Sequence, residues 1–202
     1  MQNDDLQFGF REKVGALQCS WLIQETLNYY LRGSSQPYLV SLDCTKAFPS
    51  CKWNVLFEEM WKQLPAVMIR VILQSYKNQK AYVKWGIAVS DTFEVRNGVA
   101  EGNVSSPVFW GLYILPLITR LRKLGLGCHI AWIYMASIFF AGDIILISPN
   151  RMAAQLMLNI CGSWAKQNGI TFSTDPGPSR SLLFSIKWFK FGLQLSTKLI
   201  QP

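Results

Sequence analysis

The sequence predicts an α+β fold in a single domain. Segments with helical spacing of apolar residues alternate with shorter apolar runs bounded by turn residues, the pattern of a mixed domain rather than of a bundle or a sandwich. Half of the 202 residues are hydrophobic, with 8 Trp, 12 Phe and 7 Tyr, which is enough for a sizeable core and too many for a disordered chain. No internal repeat, long linker or low-complexity tract interrupts the pattern, so one domain spanning 1–202 accounts for it.

The elements follow in order. Residues 12–32 read as a helix with an approximate apolar stripe of Leu17, Trp21, Ile23, Leu27 and Leu31. Residues 38–43 (YLVSLD) read as a buried strand ending in Asp43. Helices are expected over 52–63 and 65–77, with Pro65 able to start the second. Residues 80–96 hold two strand-like stretches around a turn near Ser90-Asp91, together a hairpin. Residues 104–124 read as a long apolar helix, with Pro116 placed to kink it and Arg120, Arg122 and Lys123 at the end where cations suit the helix dipole. Residues 132–140 and 143–148 form a hairpin, 150–168 an amphipathic helix, and the tail from 170 short strands interrupted by Asp175-Pro176-Gly177-Pro178.

A net charge of +8 and a pI near 9.4 suit a polyanionic partner, nucleic acid or an anionic membrane surface, though a merely basic soluble protein has the same balance. Lys77, Lys80, Lys84, Arg120, Arg122 and Lys123, interleaved with Tyr76, Tyr82 and Trp85, could track phosphates and stack bases, or form a solvated face. Five cysteines (Cys19, Cys44, Cys51, Cys128, Cys161) are scattered without C-x-x-C spacing, which favours a reducing compartment and no zinc site. The start Met-Gln-Asn-Asp-Asp is not that of a signal peptide. His129, the one histidine, sits between apolar segments and is expected to be packed rather than a ligand. The mean hydropathy is positive, and residues 130–147 carry one charge over 18 positions. A membrane-associated chain using 104–118 and 130–147 is therefore an alternative, but a mid-span Asp143 would cost about 2.5–3.5 kcal/mol, and Gly142-Asp143 inside a run rich in Ile and Phe fits two buried strands better.

Three blocks stand in one order: Ser41-Leu42-Asp43-Cys44-Thr45-Lys46-Ala47-Phe48, Asn97-Gly98-Val99-Ala100-Glu101-Gly102-Asn103-Val104-Ser105-Ser106-Pro107, and Phe139-Phe140-Ala141-Gly142-Asp143-Ile144-Ile145-Leu146. With Gln7-Phe8-Gly9-Phe10-Arg11 before them, they resemble the fingers and palm of a reverse transcriptase, and most of all that of non-LTR (LINE-type) retrotransposons. The resemblance runs from residue 7 to about 195. It implies a polymerase palm-and-fingers architecture, a small antiparallel sheet backed by helices, with 1–36 and about 65–100 fingers-like, 37–64 and about 101–195 palm-like, and the thumb absent. It implies RNA-templated DNA synthesis on an RNA template and DNA primer with a deoxynucleoside triphosphate, and an intracellular site, nucleus or cytoplasm, with no membrane.

The reaction so implied is phosphoryl transfer held by two Mg²⁺ ions, which take oxygen ligands. Asp43 matches the first carboxylate position and Asp143 the second of the hairpin pair; as sequence alone each is equally a turn or capping Asp. Lys46 and Ala47 would face the triphosphate through the backbone, and Phe48 would lie under the incoming sugar, its other reading being core. Glu101 and Gly102 fall on the nucleotide-binding turn, where Gly102 is otherwise a loop glycine. Arg11 would contact phosphate or simply be solvated. Trp164–Phe172 resembles the helix-to-strand block after the hairpin, Arg180 stands near the place of a later lysine, and Trp188-Phe189-Lys190-Phe191-Gly192 resembles a primer-grip hairpin. In and beside the three blocks the family pattern is broken at four points. Pro49 replaces an Asp, Ala100 a Pro, and Glu101 a Gln, putting a carboxylate beside a triphosphate. Gly142 replaces the first Asp of the hairpin pair. A site left with Asp43 and Asp143 is expected to hold Mg²⁺ weakly and to be inactive, which leaves a non-catalytic nucleic-acid-binding remnant as the further reading.

Overall fold

The computed structural model describes residues 4–173, 182–189 and 192–199, the last two segments as backbone. Helix α1 (Ala16–Arg32) begins later than the expected 12–32, because Phe10 and Lys13 take left-handed backbone at φ 61° and 62°, which an α-helix cannot run through. Its expected stripe is also corrected. Leu17 and Trp21 face solvent, and the buried positions are Cys19, Thr26 and Leu31, flanked by Leu22, Ile23 and Leu27. Strand β1 (Tyr38–Thr45) follows, then α2 (Trp53–Gln63) and α3 (Ala66–Tyr76), whose N-cap is Pro65.

The 80–96 hairpin is a thin ribbon of nested pairs. Strand β2 (Lys80–Ala81) pairs with β5 (Phe93–Glu94), and β3 (Lys84–Trp85) with β4 (Ala88–Val89). Its turn lies at Gly86-Ile87, not near Ser90-Asp91, because Gly86 takes φ +59° at no steric cost, while Ser90 is used inside the ribbon, where its amide donates to the Val83 carbonyl and its Oγ accepts from the Val83 amide.

Helix α4 (Ser106–Leu124) runs unbroken through Pro116. A two-stranded finger of β6 (His129–Ile130) and β7 (Ile133–Tyr134) precedes β8 (Ser137–Phe140) and β9 (Asp143–Ser148), so the expected strand 132–140 is split at residues 135 and 136. Helix α5 (Arg151–Asn168) is capped by the Asn150 side chain, which accepts from the Ala153 amide at 2.8 Å. Strands β10 (Thr171–Phe172), β11 (Leu182–Phe189) and β12 (Gly192–Leu199) close the chain. The hairpin expected at Trp188–Gly192 falls on β11 and β12; its turn at 190 and 191, Arg180 and the Asp175–Pro178 turn lie outside the described residues.

One antiparallel sheet, in the order β12-β11-β1-β9-β8, organises the molecule, and β10 pairs with the end of β1. Alternation along β1 sends Val40, Leu42 and Cys44 inward. On that face α4 and α5 cover the sheet, and Trp110, Tyr113, Ile114, Leu117 and Ile118 of α4 are fully buried with Phe139, Ile144 and Leu146. The opposite face is covered in part by α1, through Cys19, Leu22 and Leu27 against Ile138, Ile145 and Ile147. The fold is α+β with helices on both faces of its sheet. The two apolar runs are thus spent on a core helix and core strands, and among the described residues no helix is long and apolar enough to cross a membrane; the membrane reading of 104–118 and 130–147 is not favoured. His129 packs edge-on against Tyr134, with Nδ1 3.2 Å from the Gly127 carbonyl, as expected of a packed histidine.

The link between helix layer and sheet is Trp110. Its indole Nε1–H donates to the Ala141 carbonyl at 2.7 Å, which fixes the β8–β9 turn against α4. Trp110→Phe leaves that carbonyl without its donor, and we expect a loss of about 1–3 kcal/mol, seen as a lower urea midpoint at unchanged m.

Candidate active site

The geometry of the site starts from strand register. Strands β1 and β9 pair from Tyr38↔Ser148 to Asp43↔Asp143, so the two carboxylates stand directly opposite one another at the end of the pairing. The Cys44 amide donates to the Gly142 carbonyl at 3.2 Å, which makes Asp43 and Asp143 the closer, non-hydrogen-bonded kind of cross-strand pair, with Cα atoms about 4.5 Å apart. The Asp43 carbonyl accepts from the Ser173 amide at 2.8 Å on the other edge. Backbone hydrogen bonds on both sides therefore set the position of Asp43. The pair lies on the sheet face that α1 covers farther along; Asp43 is half-buried and Asp143 exposed.

The electrostatics of this arrangement are unbalanced. Partial burial, then the charge of Asp43, raise the Asp143 carboxyl above its ordinary value. No cation answers them in the chain, since among the described residues neither carboxylate is in an ion pair.

Gly142 occupies the turn between β8 and β9, beside Ala141 at φ +53°. A Cβ built on Gly142 would meet the Cβ of Ala47 at 3.4 Å and that of Cys44 at 3.6 Å, ordinary contact distances, and its φ is not in the left-handed range. The position accepts a Cβ without displacing its neighbours. It adjoins Ala47, so the exit of β1 and the hairpin turn touch.

Phe48 is half-buried between two rings, 6.0 Å from Phe10 and 6.1 Å from Trp110 between centroids. Its ring bridges the first block to the N-terminal motif and to α4, the packing that its core reading expects. Lys46, at φ 48°, is exposed. The second block is tied on by backbone. The Phe48 carbonyl accepts from Val99, and the Cys51 carbonyl accepts from Gly98. Gly98 has φ +89°, and a Cβ there would lie 3.0 Å from the Cα and carbonyl oxygen of Pro49, so only glycine fits. Glu101 and Gly102 sit on an exposed turn, held to the start of α4 by Ser106 Oγ donating to the Ala100 carbonyl at 2.6 Å. Among the described residues no hydrogen bond or ion pair carries Arg11, Lys46 or Glu101 to the carboxylates. Arg11 donates to the Asp5 carbonyl at 3.4 Å.

Sequence reasoning missed the positioning role of three groups. Trp110 holds the turn. Gly9 lies so near it that a Cβ would come within 2.3 Å of the Ala141 amide nitrogen, while Phe8 and Leu6 hydrogen-bond to Phe139 along the edge of β8. Arg122, expected as a free dipole-end cation, anchors this N-terminal strap by pairing with Asp4 at 2.5 Å and with Asp5. The pattern Phe8-Gly9-Phe10 alone hints at a close backbone approach.

The protein donor set is small for a pair of divalent ions. Two carboxylates face one another, the third position is Gly142, and among the described residues no three His, Cys, Asp or Glu side chains gather. The nearby thiols do not substitute. All five cysteines are free and buried, burial pushes Cys44 up and Cys51 and Cys161 up to about 12, and Mg²⁺ takes oxygen rather than sulfur. Mg²⁺ is commonly held by one or two carboxylates together with substrate phosphates and water, and Asp43 and Asp143 are the carboxylates this site offers.

The family described as reverse transcriptase (RNA-dependent DNA polymerase) matches residues 1–175. Comparison with curated protein sequences gives no match. Among solved structures, apo telomerase from Candida tropicalis, truncated from its C-terminal domain, superimposes with TM-score 0.61 at 13% identity over 90% of this chain and 40% of its own. Telomerase from Candida albicans in complex with a fragment of telomeric RNA does so with TM-score 0.63 at 11% identity over 90% of this chain and 32% of its own. The likeness to both is one of fold, and the chain spans well under half of either.

Two outcomes test this geometry. Because the folded value of Asp143 is raised, its contribution to stability is complete below its ordinary 3.8 and is lost as pH rises through the folded value. At pH 7 the folded state carries the repulsion, so Asp143→Asn should stabilise by about 0.2–1 kcal/mol in urea titrations, a gain that vanishes in titrations below pH 3.8. Gly98→Ala and Gly102→Ala both incur left-handed strain of about 1–2 kcal/mol, but only Gly98 meets backbone, so Gly98→Ala should lower the urea midpoint further.

Proposed function

The chain belongs to the reverse transcriptase (RNA-dependent DNA polymerase) family, and we propose that it is a palm-and-fingers segment of non-LTR (LINE-type) retrotransposon origin whose polymerising centre is disabled at Gly142. In this reading 1–36 and about 65–100 are fingers-like, 37–64 and about 101–195 palm-like, and the ancestral reaction is DNA synthesis on an RNA template. The RNA-bound Candida albicans neighbour supports RNA as the template class. The observation that carries the proposal is the cross-strand pair Asp43↔Asp143 beside a turn residue with room for a side chain and none present.

Asp43 and Asp143 are the remaining metal-facing groups, with Ala47 against the turn and Phe48 as the wall beside them. Arg11, Lys46, Glu101 and Gly102 belong to the nucleotide side by family resemblance, and Glu101 adds a carboxylate where a triphosphate would sit. Divalent ions supply the charge neutralisation of this chemistry in the family; this chain keeps only the two opposed carboxylates. Losing such a charge clamp commonly costs several kcal/mol, thousands-fold in rate.

Primer extension on an RNA template with Mg²⁺ or Mn²⁺ tests the reading. The unmodified chain should give no measurable synthesis. Gly142→Asp, which the backbone accommodates, should bind Mn²⁺ at least about tenfold more tightly by paramagnetic titration, as expected when a carboxylate joins the cluster. Robust synthesis by the unmodified chain, or unchanged Mn²⁺ affinity in a folded Gly142→Asp, would refute it.

A further inference from the structure

We propose that the N-terminal strap, residues 4–10, is a latched element. Arg122, paired with Asp4 and Asp5, holds it on the outer edge of β8. Unlatching frees the strap while the rest of the domain stays folded, which bares that edge and removes the packing under the turn beside Asp143. Strand β8 ends the sheet order, and among the described residues the strap is what closes its outer edge. A parallel bridge pairs Gln7 with Phe139. The Phe8 amide donates to the Phe139 carbonyl at 2.8 Å, and the Phe139 amide donates to the Leu6 carbonyl at 2.9 Å. An open strand edge is a template for pairing with another chain, so the strap is a cover as well as a support. Leu6 is buried and Phe8 half-buried against the core. At the other end Gly9 lies under the Ala141 turn with no space for a side chain, and Phe10 rests on Phe48 while still 51% exposed.

The closed strap is a balance of opposed terms. Arg122, in the last turn of α4, uses one nitrogen for both carboxylates, meeting Asp4 at 2.5 Å and also Asp5. Two neighbouring acids thus share one cation; partial burial, and then the hydrogen bond with Asp5, raise the Asp4 carboxyl. Against this hold stand two buried donors without acceptors, Arg122 Nε and Gln7 Nε2, each of which costs stability while the strap is closed. Phe10 and Lys13 add left-handed backbone at φ 61° and 62°, a conformation unfavourable to residues with a Cβ. Opening relieves all four. The donors reach water, and Phe10 and Lys13, which lie between strap and α1, are free to turn and act as the hinge. A segment with few buried side chains, two backbone bonds to its neighbour and internal opposition opens at lower free energy than a paired core strand. The β1–β9 pairing, continuous from Tyr38↔Ser148 to Asp43↔Asp143, is such a core. The inference needs no synthesis by the chain and does not depend on how Asp43 and Asp143 bind metal.

The test is residue-resolved amide hydrogen exchange of the full chain by NMR. In the parent, the Phe8 and Phe139 amides should be at least about tenfold less protected than those across β1–β9, and nearly insensitive to low urea, because local opening exposes little surface. Asp4→Asn with Asp5→Asn removes the latch and should lower protection at Phe8 and Phe139 by about a further tenfold, the order expected for a charge-assisted bond with one exposed partner. Adding Arg122→Gln to that variant should change protection little, since the three residues form one interaction. Gly9→Ala acts from the other end. Its Cβ would come within 2.3 Å of the Ala141 amide nitrogen, and it should lower protection at the same two amides with the latch residues intact. Equal protection of strap and β1–β9 amides in the parent would overturn the proposal, since the strap would then open only with the whole domain. Unchanged Phe8 and Phe139 protection in the Asp4→Asn, Asp5→Asn variant would also overturn it. Neither outcome bears on primer extension, so failure of the activity proposal and failure of this one are read separately.

Discussion

The register between β1 and β9 is the constraint on which the site depends. Side chains alternate along a strand, so a slip of one residue would move Asp43 off its partner and turn Val40 and Leu42 out of the core. Burial enforces the register. Val40, Leu42, Ile144 and Leu146 all lie inside against α4 and α5, and the apolar area they hide, at about 25 cal/mol per Å², outweighs a cross-strand repulsion of less than about 1 kcal/mol. The core thus sets the carboxylates opposite one another at the end of the pairing and tolerates the resulting tension.

Around that register the remaining parts are fastened by short, directional contacts. Trp110 reaches from α4 to the turn through one hydrogen bond. The N-terminal strap lies along β8, with Gly9 close to the same turn and Arg122 holding its start. Gly98 packs onto Pro49, and Phe48 lies between Phe10 and Trp110. Four segments distant in sequence therefore meet at one edge of the sheet. Such convergence positions chemistry when the donor set is complete. In this chain the scaffold converges on Gly142, beside the cross-strand pair Asp43 and Asp143.

Apolar surface is distributed in two ways. The long runs that raise the mean hydropathy are hidden, one as α4 and the other as the strands β8 and β9. Exposed rings stand in several places: Trp21 on α1, Trp61 on α2, Trp132 between β6 and β7, and Tyr82, Trp85 and Phe93 along the 80–96 ribbon.

Much was legible in the sequence because it depends on local pattern. The α+β class, the helices near 53–63, 66–76, 106–124 and 151–168, the hairpin at 140–143 and the candidate carboxylates followed from periodicity, turn residues and motif order. Three local readings failed for local reasons visible only in backbone angles: the start of α1 at Ala16, delayed by left-handed Phe10 and Lys13; the ribbon turn, drawn to Gly86; and the outward-facing Leu17 and Trp21, since helical spacing marks a stripe but does not say which neighbour will cover it. What tertiary structure alone decided is that Asp43 and Asp143 are cross-strand partners, that a Cβ on Gly142 would meet only ordinary contacts, that Trp110 fixes the turn, and that Trp85 is uncovered. Each of these depends on which segments pair and which faces remain unpaired, and that is set by burial summed over the whole domain rather than by any stretch of residues read alone.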